Sequence, residues 1–237
     1  MLTPVRALSI AVTCLLAAGC TRIDSWVTAY LSRDLPFPPS AETSTVAVVA
    51  KTTPEEPLLE KEVGRKIEVL LRQRGYAIKP VGEANHVLFA YFAIDSGNTV
   101  SGTYNAYVPG GTAYTNVYTS TGQWASATTW LPGRTEQRSY SYTFFTRFLG
   151  ATLYDHKRFV ASTAEKKDDA VVWRATTTSA GSSSDLRWVI DYLLVATFEH
   201  FGADTGKQVR ETLSKGDKRV KILRESAQAG PVAEPAK

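Results

Sequence analysis

Reactive side chains are scarce in this 237-residue chain, which has two cysteines, three histidines and a single methionine, Met1. Both cysteines, Cys14 and Cys20, fall within the first twenty residues, which excludes a disulfide framework across the body, and there is no Cys-x-x-Cys pair. The histidines, His86, His156 and His200, sit in different predicted elements with no metal-ligand spacing among them. There is no Gly-x-Ser-x-Gly elbow and no phosphate-cradling glycine loop followed by lysine. The adjacent pairs Asp155-His156 and Glu199-His200 point to different faces of a strand or helix, so neither is an acid/base dyad by itself. Concentrated charge is lacking too. Lys and Arg number 27 against 23 Asp and Glu, a formal net charge of +4, which is too little for the dense basic face of a nucleic-acid-binding protein. The expectation is a non-enzymatic protein without metal or cofactor. A periplasmic hydrolase acting on envelope polymers is the enzymatic alternative.

The chemistry that is present begins at the amino terminus. Arg6 precedes an uncharged run from Ala7 to Ala18 that ends in small residues, the layout of a secretory signal. A membrane-spanning helix needs ~20 apolar residues, so this run is too short to stay as an anchor. Ala17-Ala18-Gly19-Cys20 resembles a bacterial lipobox, in which the cysteine thiol is acylated and the chain is cleaved ahead of it. The alternative is an ordinary cleaved signal with a stray cysteine, but the only other cysteine, Cys14, would leave with the signal. The expected organisation is a lipoprotein signal peptide at 1–19, a lipidated terminus and Pro-rich tether at 20–44, a domain at 45–202 and a polar basic tail, partly disordered, at 203–237. Thr21, in place of aspartate, favours export to the outer membrane. In the tether, Trp26, Tyr30 and Phe37 either pack on the domain or sit at the lipid surface.

Within the domain, "TVAVVAK" from Thr45 reads as a buried strand. In the following segment Leu59, Val63, Ile67, Leu70 and Leu71 recur at helical spacing, with acid near the start, Arg72 and Arg74 near the end and Gly75 as the stop. Strands follow at "YAIKP" and at Val87 to Ile94, the latter apolar enough for burial on both faces. Further strands are expected at about Tyr142 to Asp155 and in "AVVWRATTT". A second helix runs from Leu186 through Val189, Ile190, Leu193, Leu194 and Thr197 to Phe201, capped by Ser182 to Asp185 and ended by Gly202.

Between these elements residues 96–141 change character. Charge nearly vanishes between Asp95 and Arg134, and Thr, Ser, Tyr and Gly dominate. Pro109-Gly110-Gly111 signals a turn between two runs of strand propensity, so a projecting hairpin is expected from about Thr99 to Thr121, followed by irregular chain carrying Trp124 and Trp130. The aromatics Tyr104, Tyr107, Tyr114, Tyr118, Trp124 and Trp130 are candidate partner-binding residues, since Tyr and Trp offer large contact area with a polar handle. The alternative is that they cover the domain's own sheet.

"LLRQRGYAIKPVGEANHVLFAYFAI", "FLGATLYDHKRF", "VVWRATT" with Trp173, and "LRWVIDYLLVATFEHFG", behind a lipobox, resemble an uncharacterised (DUF-type) family of bacterial envelope lipoproteins. The resemblance spans roughly Thr45 to Gly202 and brings no established activity. With the patterns above it implies an α+β fold, a two-layer sandwich in which two helices lie on one face of a mixed, mostly antiparallel sheet of about five strands, with the hairpin inserted. The functional expectation is a binding or assembly role in the cell envelope, membrane-held through lipid on Cys20, toward an envelope protein or glycan. A glycan- or peptidoglycan-binding module is the second binding reading.

Overall fold

The computed structural model describes residues 22–37, 44–118 and 120–229. They divide into two units, one built from residues up to Ser96 and from Phe145 onward, the other from Gly97–Phe144. The chain is α+β, with four helices and about 48% strand.

In the first unit the strand path is β10-β1-β9-β8-β4-β2-β3. In chain order these are β1 (Arg22–Leu31), β2 (Thr45–Thr52), β3 (Ala77–Ile78), β4 (His86–Ile94), β8 (Arg134–Asp155, its residues from Phe145 in this unit), β9 (Val171–Gly181) and β10 (Val209–Ser214). β2 runs parallel to β3 and β4, and every other pairing is antiparallel. With β5 (Asn98–Val108) of the second unit, which pairs with β8, the sheet has eight strands. The expected five were too few, chiefly because β1 and β10 went unseen. Residues 22–31, read as tether, form a strand between β10 and β9. Only one face of β1 is fully buried, and that face opens with Ser25 ahead of Val27 and Ala29, so no apolar run announces it.

Helix α1 (Pro57–Gln73) forms where its period places it, with Pro57 in the first turn and Leu59, Val63, Ile67, Leu70 and Leu71 buried. Proline is tolerated there because its missing N–H would have no partner anyway. Gly75 closes the helix at φ 85°, a conformation that costs glycine nothing. Helix α3 (Leu186–Glu199) is capped by the Asp185 carboxylate, which accepts from Trp188 N–H at 3.0 Å. Every residue of α3 from Val189 to Phe198 is buried. The core joins both helices to Leu88, Ala90 and Phe92 of β4, Leu149, Ala151 and Leu153 of β8, and Trp173 and Ala175 of β9. On the opposite face, Phe89 and Tyr154 pack on Phe159 of the short helix α2 (His156–Ala161), and Ala47 and Val87 are buried with Ala84. Tyr91 is consequently exposed, so β4 is not buried on both faces as its composition suggested.

Residues from 203 were expected to be a polar tail, yet they fold as far as they are described. β10 extends the sheet beside β1, and helix α4 (Lys218–Gln228) buries Val220, Leu223 and Ala227, while Leu213 of β10 reaches the same core. These four apolar positions are spaced for burial but diluted by Lys, Arg and Glu, which hid them.

The second unit is a two-stranded ribbon. β5 (Asn98–Val108) pairs with residues 134–144 of β8, and β6 (Gly111–Tyr118) pairs with β7 (Trp124–Leu131). Both ladders share one register: stepping three residues along each strand from Val108↔Arg134 gives Gly111↔Leu131. The break falls where Pro109-Gly110 meets Pro132-Gly133, and a β-carbon on Gly110 would clash with the Leu131 carbonyl oxygen. Proline cannot donate a ladder hydrogen bond, so two facing Pro-Gly pairs interrupt pairing without turning the chain. This corrects the expected hairpin of 99–121: Pro109-Gly110-Gly111 is not its turn, β5 does not pair with β6, and Trp124 and Trp130 lie in a strand. The reversal occurs after Tyr118, where Gly122 has φ 80°.

Candidate functional site

Within each ladder the two sides of the surface are readable from residue numbers, because side chains alternate faces along a strand and partners across a ladder share one. On one face of the β5–β8 ladder stand Tyr104, Tyr140, Tyr142 and Phe144, and on one face of the β6–β7 ladder stand Tyr114, Tyr118, Trp124 and Trp130. Ring contacts agree: Tyr104–Tyr140 at 6.4 Å, Tyr140–Tyr142 stacked at 5.7 Å, Tyr142–Phe144 edge-on at 4.7 Å and Tyr118–Trp124 edge-on at 5.1 Å. The Tyr140 ring also fills the space over Gly102 directly opposite it, where a β-carbon would lie 2.6 Å from its hydroxyl. Tyr107, the remaining candidate, is on the other face, among Ser, Thr, Asn and Gln, with its ring over Gly133.

Four of the six candidate aromatics therefore share a face of the β6–β7 ladder, Tyr104 stands with the rings of the β5–β8 ladder, and Tyr107 lies on the opposite face of that ladder. All six are exposed, Trp124 at 74% and Tyr114 at 79%, so none serves as core of the ribbon. Sequence reasoning missed Tyr140, Tyr142 and Phe144, although the alternation "SYSYTF" carried the signal. Cys20 lies outside the described residues.

A second cluster lies on the helical layer of the first unit, lining a cleft of about 670 Å³. Lys66 of α1 and Asp191 of α3, with side chains only 6% and 3% exposed, meet at 2.5 Å. Lys66 also reaches Glu62 at 2.7 Å, Asp191 accepts from Arg224 of α4 at 2.5 Å, and Glu62 accepts from Arg187 at 2.7 Å. Burial pushes the Glu62 carboxyl up, but the hydrogen bonds from Lys66 and Arg187 outweigh it and hold the group below the usual carboxylate range. Buried charge is tolerated only when paired and hydrogen-bonded, and this network ties α1, α3 and α4 together. Apart from the local Glu62–Lys66 pair on α1, it carries no sequence signal, since Asp191 lies 125 residues from Lys66 and 33 from Arg224.

His86 is pushed down by burial, partly offset by Asp155, and its Nδ1 has no hydrogen-bond partner. His156 Nδ1 lies 2.8 Å from the Ala84 carbonyl oxygen, while Asp155 caps α2 by accepting from Arg158 N–H. His200 meets Glu211 at 2.9 Å. Among the described residues no group of three His, Cys, Asp or Glu is placed to hold a metal ion, and no helix is long and apolar enough to cross a membrane.

No family model and no curated protein sequence matches the chain. Among solved structures it is similar to a PDZ domain protein from Parabacteroides distasonis (11% identity, 86% of this chain and 42% of that one, TM-score 0.36). It is also similar to the PelC dodecamer from Paraburkholderia phytofirmans in two crystal structures, at 15% identity in both. These cover 75% and 76% of this chain and 98% and 99% of that one, with TM-scores of 0.37 and 0.38. The chain thus spans less than half the length of the PDZ domain protein it matches.

Proposed function

We propose that the chain is a lipid-anchored bacterial envelope lipoprotein, held at the outer membrane through Cys20, with a non-enzymatic binding or assembly role. In this reading a two-layer body, its main helices on one face of a mixed sheet, carries the aromatic ribbon as its contact surface. The observation that carries the reading is the ribbon: eight exposed aromatic rings, four on one face of each ladder, with no charged residue between Asp95 and Arg134 and with Arg134, Glu136 and Arg138 beside the rings of the β5–β8 ladder. Exposed apolar surface of this extent marks an interaction site. Interleaved Thr, Ser and Asn hydroxyls and amides, such as the Ser126–Asn116 pair at 2.7 Å, also suit a neutral glycan, whose sugar faces stack on Tyr and Trp while its hydroxyls need polar partners.

Two measurements test this. Cells fed labelled palmitate should acylate the chain, and Cys20→Ser should abolish the label; label that persists refutes the anchor. Tyr114→Ala with Trp130→Ala should leave melting unchanged, because both rings are exposed, yet abolish retention of the full chain by its envelope partner or by isolated peptidoglycan. Unchanged capture refutes the ribbon as the contact surface.

A further inference from the structure

The ribbon has a second feature that the aromatic face does not explain. Among the described residues, β5 is the only strand that pairs with residues 134–144 of β8, so the other edge of that stretch presents backbone N–H and C=O groups without a ladder. Native proteins blunt such edges, and a ribbon of two strands is marginal in water, whereas three or more strands sharing an apolar face are stable. The ribbon's charges are confined to this edge strand and alternate in sign on one face: Arg134, Glu136, Arg138. Within the chain Arg134 meets Glu136 at 2.7 Å, while Arg138 stands 3.7 Å from the same carboxylate and is held less tightly.

This pattern is complementary to itself. When β8 is laid antiparallel to a second β8 about a two-fold axis at Gln137, Glu136 falls opposite Arg138 of the partner subunit, and the symmetric pair repeats it. Arg134 then faces Tyr140 of the partner subunit, a cation over an aromatic ring. We infer that a second copy of this chain docks along the edge of β8 from about Gly133 to Ser141, giving a four-stranded sheet in the order β5-β8-β8-β5. The aromatic rows of the two copies then share one face. A neutral glycan has no use for the alternating charges, and a bilayer penalises arginine on a lipid-facing strand, so the charge pattern favours the copy over both. The inference stands whether or not Cys20 is acylated.

The test uses the full-length chain carrying Cys14→Ser and Cys20→Ser, with mass followed by light scattering against concentration. A dimer is expected. Glu136→Arg puts three like charges on each edge and should weaken association by about tenfold or more, as juxtaposed like charges do. Inverting all three charges together (R134E, E136R and R138E) restores both Glu–Arg pairs across the edge, losing only the Arg134 contact with Tyr140 of the partner subunit, and should restore the dimer. Gln137→Cys, opposite itself at the 4.5–5.5 Å spacing of antiparallel partners, should crosslink on oxidation, and Thr135→Cys should not. An unchanged melting temperature for Glu136→Arg separates lost association from lost fold. The inference is overturned if the parent chain is monomeric throughout, if Glu136→Arg dimerises as well as the parent, or if the triple inversion fails to rescue. Because scattering and crosslinking involve neither palmitate nor an envelope partner, failure here leaves the proposed function standing.

Discussion

Replacing Asp191 with leucine strands the Lys66 ammonium where little water reaches it. The two side chains are 6% and 3% exposed and meet at 2.5 Å, and removing one partner of a buried pair costs about 3–5 kcal/mol because the other charge stays desolvated. The surroundings soften this. In Asp191→Leu, Lys66 keeps Glu62 at 2.7 Å, and Arg224, whose side chain is partly exposed, turns to water, so a loss near ~3 kcal/mol is expected. In Lys66→Met, Asp191 keeps the Arg224 hydrogen bond at 2.5 Å, and the loss should be nearer ~2 kcal/mol. The double variant leaves no unpaired buried charge and fills similar volume with apolar groups, so it should unfold within ~1 kcal/mol of the parent. Together these values imply a coupling of ~4 kcal/mol, large for residues in direct contact. Urea unfolding of the four proteins, followed by circular dichroism with the slope checked for constancy, measures every leg. The reasoning fails if either single variant loses less than ~1 kcal/mol, or if the double variant loses the sum of the singles.

Two further outcomes follow. Leu223→Ala in α4 removes a buried leucine side chain and should destabilise the fold by ~2–4 kcal/mol; a change below ~0.5 kcal/mol would mean that residues beyond 203 do not pack on the body. For pH, Glu62 and Asp24 are held below their ordinary range, Asp24 chiefly by hydrogen bonds from Arg210 and Thr212. Their folded-state affinity for protons is thus lower than that of the unfolded chain, so their stabilisation is complete above about pH 5 and is lost as pH falls through the carboxylate range. Burial likewise lowers His86 from 6.5, adding a loss that begins below about pH 6.5. Unfolding midpoints should fall between pH 7.5 and 5.5, and further by pH 4. His86→Phe should remove the upper part of that fall, and a flat profile over both windows contradicts the assignment.

How much of this was legible in the sequence depended on how each element buries itself. α1 hides apolar residues at a clean helical period, and α3, β2, β4 and β9 carry apolar runs long enough to announce them. β1 was not legible, because its buried face opens with Ser25 and three prolines follow close behind. The ribbon's strands could be read but not their pairing: Pro109-Gly110 looks like a turn until Pro132-Gly133 is recognised as the same device on the opposite strand. Of the candidate site, the aromatic residues were visible, while their division between two faces, with Tyr107 apart and Tyr140, Tyr142 and Phe144 included, required the register. The Lys66–Asp191 contact is a product of helix packing and leaves no trace in local spacing.

β1 begins at Arg22, only two residues beyond Cys20, and two residues of fully extended chain reach about 7 Å. An anchor on that cysteine would therefore leave almost no slack. Any tug on the fatty chain would act along a strand paired with β10 over Arg22–Val27 and with β9 over Trp26–Leu31, loading the β1–β10 and β1–β9 hydrogen bonds in shear. Force would enter the body through its interior and not through a leash.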